Sequence, residues 1–221
     1  MSKKSKKPTT GLPVKTYKPY KPLPPCHKVT EIFHKFYIGA KNQVKTMVQD
    51  IGVDVLVPLD SLQGDIWDWG FTGKICYYPI LDFEDLPEDI LARIVAEILE
   101  NLEQGKLVGL FCLGGHGRTG YIAACVLGLL GIEDPIEYIR TNYCSKAIES
   151  NAQIRGISKF LNKPELYTKY KETYDYGAYY GSYYGAYGGY GFNEEDAECH
   201  GVNEDIDLLN FYERLWGKHS E

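Results

Sequence analysis

No hydrophobic stretch in this 221-residue chain is long enough to cross a bilayer: the longest apolar run covers residues 121–130, against roughly 20 residues for a spanning helix. No transmembrane segment is therefore expected. Acidic residues are missing from residues 1–28, which hold eight lysines. No apolar stretch follows that basic start, so no secretory leader is expected either. The six cysteines are scattered, and no Cys-x-x-Cys pair occurs among them, which removes the usual zinc ribbon or redox motif. Cys26-His27 and Cys199-His200 leave only a remote pairing with no local ligand spacing, and no metal is expected. A chain of this length does not need disulfides to build a core. The reading is a soluble, cytoplasmic protein. The net charge of −6 speaks against nucleic acid as the main partner, and none is expected.

Four zones are present. Residues 1–28 form a basic Lys/Pro-rich arm of linker-like composition. Residues 29–164 carry the periodic patterns of a folded domain. Residues 165–192 are a Tyr/Gly-rich low-complexity segment without helix or strand period. Residues 193–221 are an acidic tail, nine acids against Arg214 and Lys218, with a short amphipathic helix expected near "DIDLLNFYERLW". Within the domain, "EIFHKFYIGA" reads as a strand pair. "NQVKTMVQDIG" reads as a short helix stopped by Gly52, and "VDVLVPL" and "KICYYPI" as strands. "LPEDILARIVAEILENLEQGK" has helical spacing, an acidic start and a terminal Gly105. "KLVGLFC" is a central strand and "RTGYIAACVLGLL" a buried helix. Asp134-Pro135 opens another helix, and "SNAQIRGISKFL" closes the domain. Strands alternating with helices predict an α/β three-layer sandwich, with a mostly parallel central sheet flanked by helices.

The chemistry concentrates in "FCLGGHGRTG", between a buried strand and a buried helix. Gly115-His-Gly117-Arg-Thr-Gly120 matches a dinucleotide fingerprint, but no acid is well placed after a second strand, and that reading leaves Cys112 and Arg118 unused. A nucleotide P-loop needs Lys where Arg118 stands. The remaining functional reading is an anion cradle with a nucleophile at its base. Gly114, Gly115 and Gly117 let the backbone of Leu113, Gly114, Gly115, His116 and Gly117 bend so that its amides face inward. The positive end of the following helix points at the same spot and favours Cys112 as thiolate. Arg118 offers two phosphate oxygens a planar fork. The bland alternative is a core cysteine, a surface arginine and a structural turn.

This string resembles the signature of the cysteine-dependent protein tyrosine phosphatases. The region from about Thr30 to Leu161, opening with "FYIGAKNQV" and "IGVDVLVPLD", is similar to their compact dual-specificity branch. The resemblance implies a phosphatase that hydrolyses phosphate monoesters through a phospho-Cys112 intermediate. Its expected partner is a phosphorylated protein, with phosphotyrosine first and phosphoserine or phosphothreonine next. Inositol phosphates or phosphoinositides are the alternative substrates, and a phosphoprotein-binding pseudophosphatase is the second alternative. Asp82, in "YPILD", matches the general acid. Asp85 is the alternative acid, Glu84 the third choice, and all three also suit a solvated loop before a helix. Thr119 matches the hydroxyl that helps the thiolate leave, or caps the helix. Gln153 matches a water-positioning glutamine, or an exposed helix residue. No cofactor is implied, because thiolate, amides and Arg118 supply the electrostatics. Phe111 departs from the pattern, which has His before the nucleophile. His116 stands where a basic residue can face substrate, or is a loop residue without a role. The tyrosines of the low-complexity segment raise two options: self-interaction with the active site, or an interaction tract.

Overall fold

The computed structural model describes residues 28–61 and 66–171, together with the backbone of a strand at Glu198–His200. The basic arm, most of the tyrosine-rich segment, the helix expected near residues 205–216 and the Cys26-His27 pair lie outside the described residues.

Six strands form one sheet. They are β1 (Thr30–Phe33), β2 (Phe36–Ala40), β3 (Val55–Pro58), β4 (Lys74–Tyr77), β5 (Val108–Cys112) and β6 (Glu198–His200), in the order β1-β2-β5-β3-β4-β6. The central four are parallel, and the edge strands β1 and β6 run antiparallel to β2 and β4. This is the expected α/β architecture, a mostly parallel sheet flanked by helices. β6 is an addition: the tail composition had suggested only a helix, further along.

Strand alternation sorts the core onto two faces. On one face, Val55, Val57, Cys76, Val108, Leu110 and Cys112 join the larger core. That core is closed by α2 (Glu88–Glu103), α3 (Gly117–Leu129), α4 (Pro135–Asn142), α5 (Asn151–Phe160) and α6 (Pro164–Tyr170). On the other face, Leu56, Ile75 and Phe111 pack with Val44, Met47, Ile66 and Phe71. A helical run of three short pieces, Lys41–Gln43, α1 (Val44–Thr46) and Met47–Ile51, supplies part of this smaller layer.

The helix boundaries follow the local signals. Gly52, at φ 73°, ends the first helical run, as expected for a left-handed stop. Asp134 accepts the Glu137 amide with Pro135 at the first position of α4. Ser150 accepts the Gln153 amide at the start of α5. α3 is buried almost all round, as its unbroken apolar sequence predicts. Packing continues past residue 164, where the composition changes: Leu166 and Tyr170 of α6 are buried, and the Tyr170 hydroxyl donates to Asp134 and Glu137.

Tyr121 connects this packing to the rest of the molecule. Its side chain is fully buried, and its hydroxyl accepts the Leu86 amide at 3.3 Å, pinning the loop between β4 and α2. A Cβ built at Gly156 on α5 collides with that hydroxyl. Gly156→Ala should therefore lower unfolding free energy by about 1–3 kcal/mol, the usual cost of overpacking a filled site. Urea denaturation checks this, and an unchanged midpoint would show that Tyr121 moves aside freely.

Candidate active site

β5 ends at Cys112 and α3 begins at Gly117, so the loop 113–116 turns at the carboxyl edge of the central strand. Crevices at that edge are where open α/β sheets hold ligands. The loop is shaped by where its carbonyls go. The Leu113 carbonyl accepts the Lys41 amide at 3.4 Å, and the Gly115 carbonyl accepts the Tyr143 hydroxyl at 2.8 Å. The His116 carbonyl accepts the amides of Gly120 and Ile148. Carbonyls tied outward leave the amides to turn inward, and the Gly115 amide donates to Cys112 Sγ at 3.2 Å. Gly115 has φ 73°, and a Cβ there would strike the Gly39 backbone and the Tyr143 hydroxyl. Only glycine meets both conditions.

Cys112 is 2% exposed and, like Cys76 and Cys125, is not part of a disulfide. Burial pushes the Cys125 thiol well up, so it stays neutral. Cys144, by contrast, is disulfide-bonded. Phe111 is fully buried in the smaller core on the opposite face from Cys112. The period-two pleat puts the residue before Cys112 there, and in this chain it is an apolar filler among Val44, Met47 and Leu56.

Arg118 lies in the first turn of α3 and is buried. Nη1 donates to the carbonyls of Leu59 and Ile80 at 3.4 and 3.3 Å, and Nη2 pairs with Asp60 Oδ2 at 3.0 Å. Nε stands 3.4 Å from Asp82 Oδ1, close enough for an ion pair but not aligned as a hydrogen bond. Burial pulls its acidity toward the neutral form, but Asp82, Cys112 and Asp60 outweigh that and raise the pKa, so the guanidinium is firmly charged.

The acid candidates separate. Asp82 faces Arg118, with its side chain 42% exposed. Asp85 is engaged elsewhere, paired with Arg155 at 3.2 Å. Thr119 is fully buried on α3, and its hydroxyl has no protein partner among the described residues. Gln153 is also fully buried rather than on an exposed helix face. Its Oε1 accepts the Glu149 amide at 2.8 Å, and its Nε2 is a second buried donor without a protein partner. It sits against Gly117: a Cβ there would lie 3.1 Å from Gln153 Nε2. His116 is half-buried, with Nδ1 3.2 Å from Cys144 Sγ.

Three contributors escaped the sequence reading. Asp60 ends the segment after β3 and holds Arg118. Tyr143 supports the loop from beneath. Burial, and then the Cys112 sulfur, push its phenol upward, so it remains a donor. Glu149 lies against Gly117 at the start of α3, its Oε2 2.5 Å from where a Cβ on that glycine would stand. Asp60 alone left a signal, as an acid directly after a buried strand; Tyr143 and Glu149 left none.

Solved structures share this architecture. Tk-PTP in its active form is 21% identical, covering 62% of this chain and 97% of that one with a TM-score of 0.53. DUSP15 is 15% identical over 65% of this chain and 94% of that one, with a TM-score of 0.54. PTPMT1 in complex with PI(5)P is 17% identical over 63% and 97%, with a TM-score of 0.50. The chain thus shares the fold of these solved structures. Two uncharacterized proteins of Methanocaldococcus jannaschii are each 39% identical, over 87 and 85 residues. Those matches take in 39% and 38% of this chain and 59% and 54% of theirs, so the chain spans less than two thirds of the length of these curated relatives. No family model matches the chain.

Tyr143→Phe deletes only the hydroxyl that donates to the Gly115 carbonyl. A buried acceptor left unpaired costs about 1–3 kcal/mol, so urea denaturation should show a loss of that size. An unchanged midpoint would mean that the loop holds its carbonyls outward without Tyr143.

Proposed function

We propose that this protein is a phosphatase that hydrolyses phosphate monoesters through a phospho-Cys112 intermediate. The observation that carries the reading is convergence: a buried thiol at the strand edge, a loop whose carbonyls are tied outward, and a buried guanidinium paired with the aspartate expected to be the acid. In this mechanism the Cys112 thiolate attacks phosphorus while the loop amides and Arg118 take up the charge on the phosphoryl oxygens. Asp82 gives the departing oxygen its proton. Water then attacks the phosphocysteine, the phosphorus–sulfur pair returns to sulfur, and Asp82 recovers a proton. Thr119, at the base of α3, is suited to donate to the leaving thiolate, and Gln153 Nε2 to hold the water.

Phosphotyrosine on proteins is the first substrate in this reading, with phosphoserine and phosphothreonine next. A phosphoinositide or inositol phosphate is the second reading, and it is favoured by one neighbour of the same fold having been solved with PI(5)P. The fully buried Phe111 bears on the pseudophosphatase alternative. Its side chain is spent on the opposite face, so its effect on Cys112 is the loss of a polar support and not an obstruction of the cradle.

Turnover of a small aryl phosphate without added metal tests the mechanism. Cys112→Ser should abolish it, and Asp82→Asn should lower kcat by roughly 10²–10⁴-fold, the usual span of general acid catalysis. Turnover that survives Cys112→Ser would refute the intermediate. Retained phosphopeptide binding without turnover in the wild type would favour the pseudophosphatase.

A further inference from the structure

Cys144 is disulfide-bonded, and the site described above gives that bond no task. Cys76, Cys112 and Cys125 are not part of a disulfide. The chain has six cysteines, so the partner is Cys26 or Cys199. Position separates the two. α4 leads to Cys144 along the β1–β2 side of the sheet: the Tyr138 hydroxyl donates to the Ile32 carbonyl of β1, and Tyr143 reaches Gly115 beside the Gly39 backbone of β2. Cys199 is the middle residue of β6, opposite Cys76 of β4. In the order β1-β2-β5-β3-β4-β6 it stands four strand intervals from β2, about 19 Å. A disulfide holds its two Cα atoms within about 7 Å.

Cys26 meets the condition that Cys199 fails. Thr30 pairs with Ile38, and β1 runs antiparallel to β2, so the chain enters β1 from the carboxyl edge, where the loop after Cys112 turns. Val29 Cγ2 lies 3.6 Å from where a Cβ on Gly39 would stand. The Gly39 backbone and the Tyr143 hydroxyl in turn both meet a Cβ built at Gly115. Cys26 precedes Val29 by three residues, a reach of about 10 Å.

We propose that Cys26 is the partner of Cys144, and that this cross-link is a redox-sensitive clip that braces the anion cradle from its rim. The bond stands apart from the phosphatase reading; the role of the cradle rests on it. The segment that the clip holds is the one that shapes the loop. Tyr143 fixes the Gly115 carbonyl at 2.8 Å, the Ile148 amide donates to the His116 carbonyl at 3.3 Å, and Cys144 Sγ lies 3.2 Å from His116 Nδ1. Arg140 stiffens the same segment by donating to the carbonyls of Ala147 and Ile148. Two consecutive cradle residues are thus held by residues 143–148, and the clip ties those residues to the chain entering β1. Opening the clip consumes one dithiol. Its two thiols give up two electrons and two protons, the Cys26–Cys144 sulfur–sulfur bond breaks, two cysteine thiols form, and the reductant leaves as a disulfide. Oxidised glutathione reverses the exchange and leaves as two glutathione thiols. Cys112 takes no part and keeps its sulfur for phosphorus.

Peptide mapping of the full chain, equilibrated with oxidised glutathione and alkylated before digestion, reads the bond without turnover. It should yield a cross-linked Cys26–Cys144 peptide that dithiothreitol removes. Cys144 found alkylated, or joined to Cys199, Cys112 or glutathione, overturns the proposal. Calorimetry of inorganic phosphate binding reads the bracing. Dithiothreitol should weaken binding several-fold in wild type. Cys26→Ser and Cys144→Ser should bind as weakly as the reduced wild type, with or without dithiothreitol. Equal phosphate affinity in the two redox states of the wild type overturns the bracing and leaves the phosphatase reading intact. A chain that carries the cross-link but neither binds phosphate nor turns over an aryl phosphate in either state overturns that reading, and the bracing with it.

Discussion

A guanidinium taken out of water has to be paired or it costs several kcal/mol, and the site is organised around how Arg118 meets that requirement. Its partners come from three segments that are far apart in sequence. Asp60 and the Leu59 carbonyl follow β3, Ile80 and Asp82 follow β4, and Arg118 itself opens α3. One planar side chain therefore sets the relative position of two strand ends and the helix that closes the cradle. Lysine has the charge but not the fork, and it could not satisfy two carbonyls and two carboxylates in one plane.

The second constraint is the pleat of β5. Successive residues face opposite sides, so Cys112 looks toward the helical layer and Phe111 toward the smaller core. A residue at 111 can affect the Cys112 sulfur only through the backbone or from behind the sheet. With phenylalanine there, polar support for the sulfur has to come from the front, and the Gly115 amide already supplies one hydrogen bond to it. Tyr143 holds that arrangement from below by fixing the Gly115 carbonyl.

What was legible in the sequence and what was not divide along a physical line. Features set by local rules could be read. The period of β3 and β5, the apolar α3, the Gly52 stop and the Asp134 cap depend on residues within one turn or one strand. The grouping of Cys112, the glycines and Arg118 was legible for the same reason, since they lie in one continuous stretch. Asp60, Tyr143 and Glu149 were not, because their roles arise from distances closed only by folding: Asp60 and Arg118 are joined across the sheet edge, and Tyr143 and Glu149 come from the segment linking two later helices. Asp82 and Asp85 stand between these cases. Both were visible as acids on one loop. Separating them needed the ion pair of Asp85 with Arg155, which no local pattern encodes.

Asp60, Asp82 and Glu149 are three carboxyls gathered about a single buried arginine, with Lys146 as a further cation. If all three were ionised, an arriving phosphate dianion would meet a neighbourhood already over-supplied with negative charge. Arg118 retains its proton because of that excess, and Glu149 yields to it, its ionisation pushed up toward neutrality by burial and by Asp82. The carboxyl that gives way is the one lying against Gly117 at the start of α3. In the phosphatase reading, anion binding and protonation of Glu149 are then linked in sign: a bound anion adds negative charge that raises the Glu149 pKa further, and protonation removes negative charge that would oppose the anion.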